Sequence, residues 1–171
     1  MESYEKAQCF LHDLEEALRE FDLPLNHKKT AIHPLPVVMA EKWIHKLNSY
    51  LAITKDEINY TEVNAYLDLA LGLAAETGNS AVLNYAIKTL AGKNLTENAK
   101  KLASQRIMHM SDIYPYLVQL MDDSVFRPFN VSAAEIKAYS DALYSDSKAS
   151  HNYEAISYAI YFSLKYGFTL K

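Results

Sequence analysis

Thr61–Ala91, TEVNAYLDLALGLAAETGNSAVLNYAIKTLA, is the stretch that decides the fold. Its apolar residues recur with the i, i+3, i+4 spacing of amphipathic helices on both sides of a short polar interruption. Gly78 is suited to end the first helix because glycine adopts the left-handed conformation readily, and Ser80 is suited to cap the second. Thr61 is predicted to be the N-cap of the first helix. The pattern predicts two antiparallel helices joined by a tight turn, 61–76 and 81–91.

Further helices follow, each opening at a serine or threonine or asparagine that can serve as an N-cap. They are predicted at Thr96 to about His109, Ser111 to Met121, Ser132 to Tyr144 and from Asn152 onward, with a loop at Asp122–Val131. The last helix is expected to bury one stripe, made of Ile156, Ala159, Ile160 and Leu164. Paired helices at a period of roughly 35 to 45 residues predict an all-α fold, a short HEAT- or TPR-like α-solenoid of antiparallel helix pairs.

Composition narrows the class of protein. With 171 residues, half of them hydrophobic, the chain is long enough to bury a core, and its 4 glycines and 5 prolines favour helices over sheet. The formal net charge of -4 gives no basic footprint for general nucleic-acid binding. Cys9 is the single cysteine and is expected to be buried, and the histidines show no metal-ligand spacing, so no metal site is predicted. No apolar run is long enough to cross a bilayer, which predicts a cytoplasmic protein with no membrane contact.

An N-terminal head precedes the helical body. Ser3–Phe21 is predicted to form an amphipathic helix with one buried stripe, packed on the helical body or used for association: Phe10, Leu11, Leu14 and Leu18. Pro34 and Pro36 then interrupt the helical pattern. We therefore predict two domains, 1–36 and 37–171. Trp43 is expected to be a packing anchor of the second domain.

The residues after the first helix carry a resemblance to a known family. An acidic and apolar turn, Glu20-Phe21-Asp22-Leu23, leads into Leu25-Asn26-x-x-Lys29-Thr30. This order of helix, turn and lysine-threonine strand resembles the end of the palm of bacterial reverse transcriptases, which are RNA-directed DNA polymerases. In the abortive-infection type, which acts in defence against phage, HEAT-like helical repeats follow the palm in place of a thumb. The chain thus resembles the C-terminal part of such an enzyme, with a small palm-derived helix-turn-strand head.

The resemblance implies roles for particular residues. Lys29 matches the lysine thought to protonate the departing pyrophosphate, so it would be the candidate general acid of the full-length enzyme. A lysine suits that role because its compact ammonium also neutralises charge in phosphoryl transfer. The alternative is an ordinary turn with solvated lysines. The candidates for contacts with nucleotide or nucleic acid are Asn26, Lys28, Thr30, Arg106 and Arg127.

The chain also departs from the family. No aromatic-x-Asp-Asp hairpin precedes Asn26, so the carboxylates that hold Mg²⁺ in a full polymerase are missing and no activity is expected from this chain alone. Asp122 and Asp123 are predicted to be the solvated end of a helix rather than metal ligands. The implied partners are the remaining palm and fingers, RNA or DNA, and a second copy of the chain. The alternative is a stand-alone helical-repeat interaction module without a nucleic-acid role.

Tyrosines are unusually frequent, and 13 occur in the chain. Six of them crowd the C-terminal helices: Tyr139, Tyr144, Tyr153, Tyr158, Tyr161 and Tyr166. A hydroxyl can serve as a protein primer in the defence polymerases that the chain resembles, and aromatic rows can stack bases. The alternative is that the rings pack and leave their hydroxyls at the surface.

Overall fold

The computed structural model describes residues 4–27, 29–32, 42–50 and 54–171. The chain divides into two compact units, Met1–Glu41 and Lys42–Lys171. Within the described ranges the chain is mostly helical and forms no sheet, so the all-α prediction is confirmed. The helices are α1 Tyr4–Arg19, α2 Lys42–Asn48, α3 Tyr60–Thr77, α4 Ala81–Ala91, α5 Glu97–Ile113, a 3₁₀ helix Pro115–Leu120, a π-helical turn Asp122–Phe126, α6 Ala133–Ser150 and α7 Tyr153–Tyr166.

The first unit contains α1 and the turns that follow it. The predicted buried stripe of this helix is not buried, because Phe10 is 53% exposed and Leu14 is 36% exposed. Cys9, which we expected to be buried, is exposed as well. The physical reason is that the described part of this unit has no second helix or sheet layer against which α1 could pack. The predicted domain boundary at Pro36 lies outside the described residues.

The core of the second unit begins with the hairpin of α3 and α4. Gly78 ends α3 in the left-handed conformation with φ +63°, as predicted, and α4 ends at Gly92. Both helices bury a continuous apolar face, which includes Tyr66 and Leu83. Trp43 of α2 is buried against this hairpin and meets the Tyr85 ring edge to face at 5.6 Å, so its predicted anchoring role is confirmed.

The two caps predicted for the α3–α4 hairpin, Thr61 and Ser80, do not form as expected. The N-cap of α3 is Asn59 rather than Thr61, because Asn59 and Glu62 form a reciprocal capping box that opens the helix earlier. Ser80 lies in helical conformation and makes no side-chain cap bond. Instead, the Asn79 Oδ1 accepts the Ala81 N–H at 2.9 Å.

The fifth helix is longer than predicted. Thr96 caps α5 as expected, but the helix continues through Ile113, beyond the predicted end near His109. Ser111 does not open a new helix, since its hydroxyl donates to the Met108 carbonyl oxygen at 2.6 Å inside α5. The helix stops because Pro115 disfavours helical backbone in the residue before it, and Tyr114 accordingly has φ −121° and ψ 79°.

The segment predicted as a loop at Asp122–Val131 contributes to the core. It begins with the π-helical turn, in which Val125 and Phe126 are buried, and Phe129 beyond the turn is buried too. The prediction failed because the acidic and proline residues of this segment look solvent-exposed in the sequence. The turn directs the side chains of Val125 and Phe126 into the hydrophobic core.

The hairpin of α6 and α7 closes the unit. Ser132 and Glu135 form the predicted capping box, and Asn152 caps α7 as predicted. α6 runs through Ser150 instead of Tyr144, and ends at His151, which is left-handed with φ 57°. The buried side of α7 agrees with the predicted stripe only at Ala159: the buried residues are Ala155, Ala159 and Phe162, whereas Ile160 and Leu164 are exposed.

Candidate functional site

The head residues expected to contact nucleotide form a local turn. The Asn26 carbonyl oxygen accepts the Lys29 N–H at 2.9 Å and the Thr30 hydroxyl at 2.9 Å. Lys29 is exposed, and Lys28 lies outside the described residues. The predicted strand at Thr30 is wrong within the described part of the head, because its hydroxyl bonds back to Asn26 and no neighbouring strand pairs with it.

Arg106 is held between two helices. One of its nitrogens donates to the Asn64 carbonyl oxygen at 3.1 Å and to the Asn64 Oδ1 at 2.5 Å. The other donates to the Asp68 Oδ1 at 2.7 Å. Because these bonds join α5 to α3, the Arg106 guanidinium links the two helices.

Arg127 is more open but is also paired. Its side chain is 57% exposed, and it donates to the Asp122 Oδ2 at 3.1 Å while a second nitrogen lies 3.4 Å from the Asp123 Oδ1. Asp123 is exposed, as predicted for the end of a helix. Asp122, predicted to be solvated with it, is only 6% exposed.

Asp122 is the centre of a hydrogen-bonded cluster. Its Oδ1 accepts the Tyr166 hydroxyl at 2.6 Å, and its Oδ2 accepts the Tyr161 hydroxyl at 3.1 Å. The Lys165 ammonium donates to Asp122 and, at 2.8 Å, to the Tyr161 oxygen. We call this set the Asp122 cluster: Asp122, Arg127, Tyr161, Lys165 and Tyr166. A single buried carboxylate thus ties the π-helical turn to α7.

Aromatic packing holds the two sides of the cluster in register. Phe126, at the end of the π-helical turn, meets Phe162 of α7 at 5.2 Å and Tyr166 at 6.0 Å, both edge to face. These contacts hold the turn against α7, and Asp122, four residues before Phe126, faces Tyr161, Lys165 and Tyr166 of that helix. Edge-to-face pairs of this kind add to the stabilisation that burial alone provides.

The charges of the cluster follow from this geometry. Burial alone would raise the pKa of the Asp122 carboxyl, but the hydrogen bonds from Lys165, Tyr166 and Tyr161 outweigh it and lower the pKa below its usual range. The pKa of Lys165 is raised, chiefly by its hydrogen bond to Asp122. Burial, and then the hydrogen bond to Asp122, raise the pKa of Tyr166 to about 12.

These shifts limit what the cluster can do chemically. A nucleophile or general base near neutral pH needs a lowered lysine or tyrosine pKa, and both groups are shifted the other way. The carboxylate already has donors on both oxygens. The arrangement is suited to anchoring α7 rather than to catalysis, and neither Tyr161 nor Tyr166 presents a free hydroxyl of the kind a primer would need.

The opposite side of α7 carries apolar side chains that face solvent. Tyr153 is 74% exposed, Leu164 is 79% exposed and Ile160 is 43% exposed. Their spacing of seven and four residues places them on one face of the helix. We call this face the outer face of α7. The helix is therefore apolar on two opposite sides, one buried and one exposed.

A groove adjoins this outer face. It is lined by residues of α6, of α7 and of the segment after α7, and we call it the α6–α7 groove: Tyr144, Ser145, Lys148, Ile160, Leu170 and Lys171. The segment after α7 is held on α6 by hydrogen bonds. The Lys137 ammonium donates to the Thr169 carbonyl oxygen at 2.6 Å, and the Lys171 N–H donates to the Asp141 Oδ1 at 2.9 Å.

The fold and these sites define a class of protein: an all-α chain with an apolar, lysine-flanked surface on its last helix. In the described part of the chain, no group of histidine, cysteine, aspartate and glutamate could hold a metal ion, and none of the helices has the length and apolar character needed to cross a bilayer. Comparison with protein-family models, curated proteins and solved structures finds no match to this chain.

Proposed function

We propose that this chain is a protein-interaction module that binds a helical segment of a partner protein on the outer face of α7. The observation that carries the proposal is the exposure of Tyr153, Ile160 and Leu164 on one side of that helix. A helix with an apolar exposed side marks a site where another element packs. In a stack of helix pairs, the outer side of a terminal helix is polar unless another helix covers it.

The expected occupant is a helix because the exposed side chains follow a helical repeat. Ridges formed by residues three and four apart fit into the grooves of a second helix, and this packing is a common mode of peptide recognition. α7 itself is firmly held, by Phe162 in the core and by the Asp122 cluster. A rigid helix lowers the entropy lost on binding. The stacking of the α3–α4 and α6–α7 hairpins as HEAT- or TPR-like repeats, and a cytoplasmic location, are part of this proposal.

The test uses a designed amphipathic helical peptide of about 18 residues, long enough to be helical by itself. It carries leucines on one side and uncharged residues on the other, and binding to the purified chain is followed by fluorescence anisotropy. We expect Leu164→Asp to weaken binding at least about tenfold, since a charge at the centre of an apolar contact is not compensated.

The matched control is Ile113→Asp, which places the same charge at another exposed apolar residue, 64% exposed, at the end of α5. It should leave the affinity unchanged within about twofold, in keeping with the weak effect of surface substitutions outside a contact. Circular dichroism of both variants checks that the fold is intact. No binding to the wild-type chain, or equal loss in both variants, would contradict the proposal.

A second candidate is the C-terminal part of a reverse transcriptase of the abortive-infection type. It is favoured by the compact turn at Asn26, which closes on Lys29 and Thr30 while leaving Lys29 exposed, and by the order of head and helical body. In this proposal the chain assembles with the remaining palm and fingers, and Lys29 acts as general acid beside Mg²⁺ held by those parts.

The second candidate is tested by sequencing the genomic DNA upstream of the codon for Met1. An in-frame palm with an aromatic-x-Asp-Asp motif is the expected result. Lys29→Ala in that longer protein should then lower primer extension by about a hundredfold, the usual effect of losing a general acid. An upstream region without such a reading frame would reject the polymerase and leave the interaction module.

A further inference from the structure

We infer that the α6–α7 groove selects acidic amphipathic helices of a partner protein, with Lys148 and Lys171 pairing to carboxylates that flank the partner's apolar side. The inference rests on the proposed function, because it assigns the chemistry of the helix that the outer face of α7 would bind.

Three segments build the groove and bring apolar and basic groups together. α6 contributes Tyr144 and Lys148, α7 contributes Ile160, and the segment after α7 contributes Leu170 and Lys171. Ile160 belongs also to the outer face of α7, so the groove and that face are continuous. A bound helix could therefore place its apolar side on α7 and one polar edge along the groove.

The charges around the groove do not balance. Lys137 pairs with Asp141 at 3.0 Å, and the same carboxylate accepts the Lys171 N–H. Of the side chains that line the groove, Lys148 and Lys171 are the charged ones, and no acidic side chain lies among them. Within the described part of the chain, the Lys148 side chain forms no ion pair. The whole chain is acidic, with a net charge of -4, so this basic edge is a local feature.

A protein helix suits this surface better than a nucleic acid. Two lysines could contact phosphates as well as carboxylates, but the adjoining Ile160 and Leu164 offer nothing to a sugar-phosphate backbone. An acidic amphipathic helix can pair its carboxylates with the two lysines and bury its apolar side against Ile160 and Leu164. Complementary charge at the rim of such a contact acts mainly on selectivity and on the association rate.

The experiment uses three designed peptides that share one apolar side and differ at the flanking positions, which are glutamate, glutamine or lysine. Their affinities for the intact chain are measured by fluorescence anisotropy. We expect the glutamate peptide to bind about tenfold more tightly than the lysine peptide at low salt, with the glutamine peptide between them. The difference should shrink in 1 M salt, where exposed charges are screened.

The double variant K148E/K171E should invert the order of the glutamate and lysine peptides. Its matched control is K88E/K93E, which makes the same change of charge at two exposed lysines. Lys88 lies in the last turn of α4, and Lys93 lies just after that helix. This control should keep the preference for the glutamate peptide. Retention of the preference in K148E/K171E would overturn the inference.

The outcomes separate this inference from the proposed function. Equal affinity for all three peptides overturns the acidic preference and leaves helix binding intact. Binding of none of them rejects the proposed function, and the inference with it. Displacement of the glutamate peptide by an equal concentration of a single-stranded oligonucleotide would overturn the choice of a protein partner in favour of a nucleic acid.

Discussion

Asp122 illustrates how a charged residue becomes part of a helical core. Removal of a carboxylate from water costs free energy, and a buried ion is stable only when donors replace the lost solvent. Here Lys165 and two tyrosine hydroxyls of α7 provide those donors, and they lie 39 to 44 residues later in the chain. Because the donors are so distant in sequence, the local sequence Met121-Asp122-Asp123 indicates only the solvated end of a helix.

The cluster leads to a prediction at the residue scale. Asp122→Asn should lower the free energy of unfolding by about 2 kcal/mol or more, because the charged acceptor of two hydroxyls and an ammonium is lost. Urea unfolding followed by circular dichroism measures the change. Asp123→Asn is the matched control, since that neighbour is exposed and should change stability by less than about 0.5 kcal/mol. Equal effects of the two substitutions would contradict the role given to Asp122.

The lowered pKa of Asp122 also predicts a pH dependence. Its ordinary value is 3.8, and the folded value lies below that. The stabilisation is therefore complete above about pH 5 and is lost as the pH falls through 3.8 toward the lower folded value. The difference in unfolding free energy between wild type and Asp122→Asn should thus be constant from pH 5 to 7 and shrink below pH 4. A difference that stays constant into strong acid would show that Asp122 is not stabilised as an anion.

At the scale of single elements, helix starts depend on a few neighbouring residues. The capping boxes at Asn59-x-x-Glu62 and Ser132-x-x-Glu135 both form, and each satisfies backbone N–H groups at the start of a helix. The box at Ser132 was predicted from the sequence, whereas the cap predicted for α3, Thr61, lies two residues after the observed one. Caps are therefore among the features that sequence reasoning can recover.

The cap of α3 can be tested directly. Asn59→Ala should lower the free energy of unfolding by about 1 kcal/mol, because the Glu62 N–H loses its side-chain acceptor. The comparison is Thr61→Ala, which removes the cap expected from the sequence and should have an effect below about 0.5 kcal/mol. The two values come from urea unfolding at pH 7. A larger loss of unfolding free energy for Thr61→Ala than for Asn59→Ala would indicate that Thr61 is the N-cap, as predicted from the sequence.

The two apolar sides of α7 differ in their contribution to stability. Phe162 is buried among aromatic side chains, whereas Leu164 is exposed. Phe162→Ala should cost about 3–5 kcal/mol by leaving a cavity, and Leu164→Ala should cost less than about 0.5 kcal/mol. Chemical denaturation of both variants measures this contrast. Similar destabilisation by the two would mean that the outer face of α7 is covered in the folded chain.

At the scale of the whole molecule, charge is the property most relevant to partners. The chain carries a net charge of -4, and Arg106 is engaged by Asn64 and Asp68. For the interaction module we expect no measurable binding to duplex or single-stranded DNA in about 50 mM salt, since strong counterion release needs several clustered cations and the α6–α7 groove offers two, Lys148 and Lys171. An electrophoretic or anisotropy titration tests this. Tight binding that weakens steeply with salt, and that Arg127→Ala reduces, would instead support the nucleic-acid role.

The sequence by itself determined the helical class, the turn at Gly78, and the caps at Thr96, Ser132 and Asn152, because these signals act between residues a few positions apart. Tertiary structure decided which side of α7 is buried and where Asp122 finds its donors. Both stripes of α7 are apolar at helical spacing, so periodicity cannot choose between Phe162 and Leu164. The choice is made by Phe126 and by the partners of Asp122, which meet α7 only when distant segments pack together.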